Sequence, residues 1–169
     1  MAIRTAKKSR SSSRRGAATP KDAIALLKAD HRQVEEWFGQ FEKARSADRK
    51  QMLVNNICQA LRVHTRIEEE IFYPAFYEAT EDKDLHHEAI VEHDGARKLI
   101  AEIEQSSPSD DYFDAKISVL SEMIKHHVKE EEQRGGMFAE ARGSSLDLVE
   151  LGEQMAARKN ELMGASQAA

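Results

Sequence analysis

Histidine and glutamate recur in one helical pattern in each half of this chain. His31 is followed by His64 and Glu68, and His93 by His127 and Glu131. The step from the lone histidine to the His-x-x-x-Glu pair is 33 residues in the first half and 34 in the second, so the halves read as duplicated helical hairpins. Positions i and i+4 of a helix lie one turn apart on one face, so each pair aims an imidazole and a carboxylate the same way. Four imidazoles and two carboxylates aimed into an apolar interior are costly to desolvate unless they pair with one another or bind cations. Neutral imidazole and carboxylate suit borderline first-row metals, and a carboxylate has two oxygens with which to bridge ions roughly 3.5–4 Å apart. If Glu68 and Glu131 both bridge, each of two ions receives four protein donors. Six-coordinate ions then keep open positions for a bridging oxide or hydroxide and for a small exogenous ligand such as dioxygen, nitric oxide or peroxide. Iron is preferred over zinc, which favours closed four-coordinate sites. The rival reading is a metal-free bundle whose buried His and Glu hydrogen-bond one another.

Helices must position these residues, because no segment shows the period-two alternation of a strand. Thr19-Pro20 opens a first helix running to about Arg45, where Ile24, Leu27, Val34, Phe38 and Phe41 form a stripe that includes His31. A second begins near Asp48 and carries Leu53, Ile57 and Leu61 on the line that His64 continues. Pro74 is expected to kink or close it. A third starts at Glu81-Asp82-Lys83-Asp84 with the stripe Ala89, His93, Ala96, Ile100 and Ile103, and a Ser106–Ser109 turn leads to a fourth. There Ile117, Leu120 and Ile124 precede His127. The alternative register, His126 with Glu130, carries Lys116 and Glu122 instead, so His127 is the inward residue. Gly135-Gly136 is expected to interrupt the fourth helix, and an amphipathic helix from about Ser145 to Met163 is expected to pack across one end. The architecture expected is therefore an all-α, up-down-up-down four-helix bundle with a short additional C-terminal helix.

With 169 residues, 40% of them hydrophobic, the chain suits one soluble domain large enough to bury a core and a small site. No apolar run approaches the roughly 18 residues needed to cross a bilayer, and Cys58 is the only cysteine, so a reduced cytoplasmic setting is expected. The division read from the sequence is a basic disordered tail (1–19), the bundle (20–142), and a C-terminal helix and tail (143–169). The tail holds Arg4, Lys7, Lys8, Arg10, Arg14 and Arg15 and no acid; without their six charges the net −5 becomes −11. Three uses fit the tail: a solvated extension, a contact to nucleic acid, or a transit peptide. The acidic remainder repels a phosphate backbone, which excludes nucleic acid as its own substrate.

The stretches LLKADHRQVEEWF, LRVHTRIEEEIFYPAF, VEHDGARKLI and IKHHVKEEE together resemble the hemerythrin-like, or HHE cation-binding, domain over about residues 20 to 140. The resemblance implies a non-haem di-iron centre, with His31, His64, His93 and His127 as terminal ligands and Glu68 and Glu131 as bridges. One departure stands out. Oxygen-carrying hemerythrins have a fifth histidine one turn from the ligand at His93, where this chain has Ala89 and Arg97. That argues against simple reversible dioxygen carriage and for a centre that reacts, is oxidised or takes up nitric oxide. The functions expected are sensing, detoxification or iron handling. The alternative is a metal-stabilised regulatory module whose partner contacts depend on iron or oxygen. An enzymatic use has no general acid assignable from the sequence. His86 and His87 read as exposed, Tyr73 and Tyr77 as packing beside Pro74 or, less commonly, as orienting a ligand or supplying an electron, and Glu69, Glu70, Glu130 and Glu132 as solvated faces or supports to the ligands.

Overall fold

Two apolar clusters with a polar layer between them organise the computed structural model, which describes residues 21–80 and 82–167. The basic segment 1–19 and the Thr19-Pro20 helix start lie outside these residues. Helix α1 (Ala23–Lys43) begins where Asp22 accepts from the Ala25 amide at 2.8 Å, and α2 (Ala47–Ile67) where Ser46 accepts from Arg49 at 3.3 Å. Each cap satisfies a donor that the first helical turn leaves unpaired. The second bundle helix then passes without a break through a π-helical turn, Glu68–Phe72, into α3 (Tyr73–Ala79). Pro74 therefore does not close it. The wide turn ahead of the proline keeps the chain helical as far as Ala79.

Helix α4 (Lys83–Glu104), capped by Asp82, and α5 (Phe113–Glu132) form the second hairpin and complete an antiparallel four-helix bundle. Gly135 lies at φ 80°, and a Cβ on Gly136 would stand 2.1 Å from the Glu130 carbonyl oxygen. The chain therefore folds back tightly over the last turn of α5. A seven-residue helix, α6 (Met137–Gly143), follows; the sequence reading had no element there. The C-terminal helix α7 (Leu148–Gln167) is 20 residues long, close to the span expected from Ser145 to Met163, and packs on α1 and the second bundle helix where α1 begins. Gly152 permits this approach, since a Cβ there would lie 2.7 Å from the Ala23 nitrogen. Among the described residues no helix is long and apolar enough to cross a membrane.

One cluster gathers Phe38, Phe41, Ile57, Leu61, Ile100, Phe113 and Leu120 in one half of the bundle. The other gathers Ile24, Leu27, Phe72, Phe76, Phe138 and Met155, so α6 and α7 seal the other half. Each such fully buried side chain contributes about 1.5–3 kcal/mol, and apolar burial on both sides offsets the unfavourable desolvation of the layer between. That layer consists of His31, His64, Glu68, His93, His127 and Glu131, all buried.

Candidate metal centre

The six residues singled out in the sequence converge in this layer. His31 Nε2 and His64 Nε2 are 3.1 Å apart, and His93 Nε2 and His127 Nε2 are 3.2 Å apart. Glu68 lies between the two pairs, its Oε1 3.2 Å from His64 Nε2 and its Oε2 3.3 Å from His93 Nε2. Glu131 presents a single oxygen to both sides, with Oε2 3.4 Å from His31 and 3.6 Å from His127. His127 thus faces inward, and its neighbour His126 is 62% exposed.

The outer nitrogen of each imidazole faces a carboxylate from an adjacent helix. His31 Nδ1 donates to Glu132 at 2.8 Å, His93 Nδ1 to Glu69 at 2.9 Å and His127 Nδ1 to Glu92 at 2.7 Å, while His64 Nδ1 and Asp30 are a longer 3.5 Å apart. Asp30 and Glu92 each precede a histidine of the layer, and Glu69 and Glu132 each follow a glutamate of it. Following these contacts, α1 supports α2, the π turn of the second bundle helix supports α4, α4 supports α5 and α5 supports α1, so the four links close in a circle. Such contacts fix the tautomer of His31, His93 and His127 and leave their Nε2 lone pairs turned inward, while His64 Nδ1 makes no hydrogen bond.

Inward lone pairs 3.1 and 3.2 Å apart must share a proton or a cation. Without cations the cluster retains protons: burial and the neighbouring Glu68 charge push Glu131 up to about 8. Burial alone would lower His64, but Glu68 and Asp30 hold it at about 10. Burial and His64 together push His31 down to about 4. Glu68 stays well below the usual carboxylate range despite its burial, because His64 and His93 face it. Even so, both Glu68 oxygens and Glu131 Oε2 are buried without a hydrogen-bond partner. Leaving such atoms unpaired costs about 1–3 kcal/mol each, more when charged. A cation on each side would satisfy them, and two donor groups, His31 with His64 and Glu68, and His93 with His127 and Glu68, are able to hold one.

The family profile of the hemerythrin HHE cation-binding domain matches residues 22–135. The chain belongs to this family. A hemerythrin HHE cation-binding domain-containing protein from Mycobacterium kansasii shares its fold, with a TM-score of 0.74 at 23% identity over 87% of this chain and 90% of that one. A DNA nickase from Nostoc sp. strain PCC 7120 is 25% identical over 122 residues, which is 70% of this chain and 33% of the nickase. The chain therefore spans about a third of that relative's length.

Of the two residues one turn from His93, Ala89 is buried in one apolar cluster with Tyr73. The fully buried Tyr73 hydroxyl donates to Glu131 Oε1 at 3.1 Å and lies 3.3 Å from His93 Nε2. It is thus a polar group of the centre rather than simple packing beside Pro74. The π turn places it there: the Tyr73 amide bonds to the Glu68 carbonyl, so the residue five positions on, not four, lines up with Glu68. His86 is half-buried rather than exposed, with its ring on Tyr73 and Tyr77. Arg97 pairs with Glu69 on the far side of His93. Gly95 receives the tip of Met123, 3.1 Å from where its Cβ would be.

Proposed function

We propose that the chain binds two iron ions on His31, His64, Glu68, His93, His127 and Glu131 and that the centre binds or reacts with dioxygen, nitric oxide or peroxide in sensing, detoxification or iron handling. The observation that carries this reading is Glu68. A carboxylate 0% exposed, with an oxygen toward each imidazole pair and no hydrogen bond to either, suits a bridge between two cations. Bound iron supplies redox chemistry and open coordination positions. The protein's own residues orient the imidazoles, hold Glu131 through the Tyr73 hydroxyl and exclude water.

Cavity size narrows the ligand class. Beside the four histidines a chamber of about 20 Å³ is walled by Val34, Leu61, Ile124 and Val128, room for about one water-sized molecule. An outer cleft of about 380 Å³ between α1 and α5 shares His31, Ile124 and Val128 with it. A chamber of this size favours a ligand of a few atoms over an organic substrate. Metal analysis, with absorption spectra before and after peroxide or nitric oxide, tests the reading: two irons per chain and a spectral change are expected. Protein that retains no iron, or whose iron spectrum ignores every small ligand, refutes it. One observation favours the regulatory module as a second reading: Lys159 of α7 pairs with Asp30, which faces His64, so the C-terminal helix touches the support of a centre histidine.

A further inference from the structure

The circle of supporting carboxylates has one corner unlike the other three. Asp30 pairs with Lys159, Glu132 with Arg32 and Lys28, and Glu69 with Arg97, so each of these carries a permanently charged cation on its outer side. Among the described residues, the ion-pair partners of Glu92 are His127, inside, and His126, outside. In place of a lysine or arginine stand an imidazole and a further carboxylate. His126 Nε2 is 3.4 Å from Glu92 Oε1 and 3.2 Å from Glu130 Oε1. All three donor atoms lie within 4.8 Å of one another. They border an open cavity of about 420 Å³, which Glu88, one turn before Glu92 on α4, also lines.

We propose that this is a second metal site, in which a divalent transition-metal ion binds Glu92 Oε1, His126 Nε2 and Glu130 Oε1 between α4 and α5, with water from the cavity completing its coordination. Donors about 2.0–2.2 Å from a first-row ion, at angles between octahedral and tetrahedral, are roughly 3.0–3.5 Å from one another, and the two spacings here fall within that range. The ion pair alone explains little, since so exposed a contact contributes roughly 0–1 kcal/mol. One imidazole with two carboxylates suits zinc or ferrous iron, whereas an all-oxygen set would suit magnesium or calcium. The ion supplies the outer positive charge that lysine or arginine supplies at the other three corners, and it fixes Glu92 while the inner oxygen of that residue holds His127. This inference goes beyond the reading of the buried centre and is tested separately from it.

Zinc titrated into the protein as isolated is expected to bind as an ion beyond those in the buried layer. Anomalous scattering at the zinc edge should place it on Glu92, His126 and Glu130. His126→Ala and Glu130→Gln should each weaken this ion by about tenfold or more. His126→Arg should abolish it while keeping the metal content of the buried layer at the wild-type level, because it makes the fourth corner like the rest. Zinc found only among the buried donors, or zinc affinity at the surface unchanged in His126→Ala, overturns the proposal. The first of those results would still support the buried centre.

Discussion

Replacing Glu132 by alanine removes the acceptor that holds His31 Nδ1 at 2.8 Å, with His31 only 5% exposed. A buried ring N–H left without a partner costs about 1–3 kcal/mol, and loss of an outer partner of a metal-binding histidine weakens affinity about 10–100-fold, or roughly 1.4–2.7 kcal/mol. The other contacts of Glu132, to Arg32 and Lys28, involve well-exposed cations. They contribute at most about 1 kcal/mol each, so the bundle survives the change. The effect is one-sided, because Glu132 supports His31 while Glu69 supports His93. Iron retention against increasing chelator should therefore separate into two steps in Glu132→Ala, with the His31–His64 ion leaving about 10–100-fold more readily. Glu69→Ala should release the His93–His127 ion first. Asp30→Ala should act more weakly than either, since 3.5 Å is too long for a strong hydrogen bond. Simultaneous loss of both ions in Glu132→Ala with helicity intact, or a larger effect from Asp30→Ala, would refute this reasoning.

Tyr73→Phe removes the buried donor to Glu131 and should destabilise metal-free protein by about 1–3 kcal/mol in urea unfolding; an unchanged midpoint would mean the hydroxyl carries no such bond. Gly136→Ala forces a Cβ onto the Glu130 carbonyl and should cost about 1–3 kcal/mol or more, lowering Tm by about 2–4 °C per kcal/mol and loosening metal held through Glu131. Burial, with Glu104 nearby, pushes the Cys58 thiol up from about 9 to about 12. Native protein at pH 8 should therefore react with a thiol reagent only after urea is added. The folded thiol keeps its proton where the unfolded one ionises, so stability should fall as pH rises from about 9 toward 12, and Cys58→Ala should lack that component of the decline.

The six inward residues were legible because regular helices project a 3.6-residue period onto the sequence, and His31, His64, His93 and His127 each lie on an apolar stripe. The same rule left Tyr73 open between packing and a place in the centre. Its register is shifted by the π turn after Ile67, and one extra residue in a turn leaves no mark in the apolar pattern. Glu69 and Glu132 read as solvated faces or supports to the ligands without the histidine each supports, and Asp30 and Glu92 carried no signal, because each of the four sits beside a centre residue in sequence and acts on a histidine of another helix. Only packing reveals such partners. Helix α6 is too short at seven residues for a period to show.

The closed order of the four supports works like the hoop of a cask. Any seam that parts the staves into two groups must cut the hoop twice, so no pair of helices offers a cheap hinge through which a trapped ion could slip out. Exchange then demands that two separate fastenings fail together, and the joint with the longest contact, Asp30 to His64 at 3.5 Å, is the place where prying the barrel open would begin.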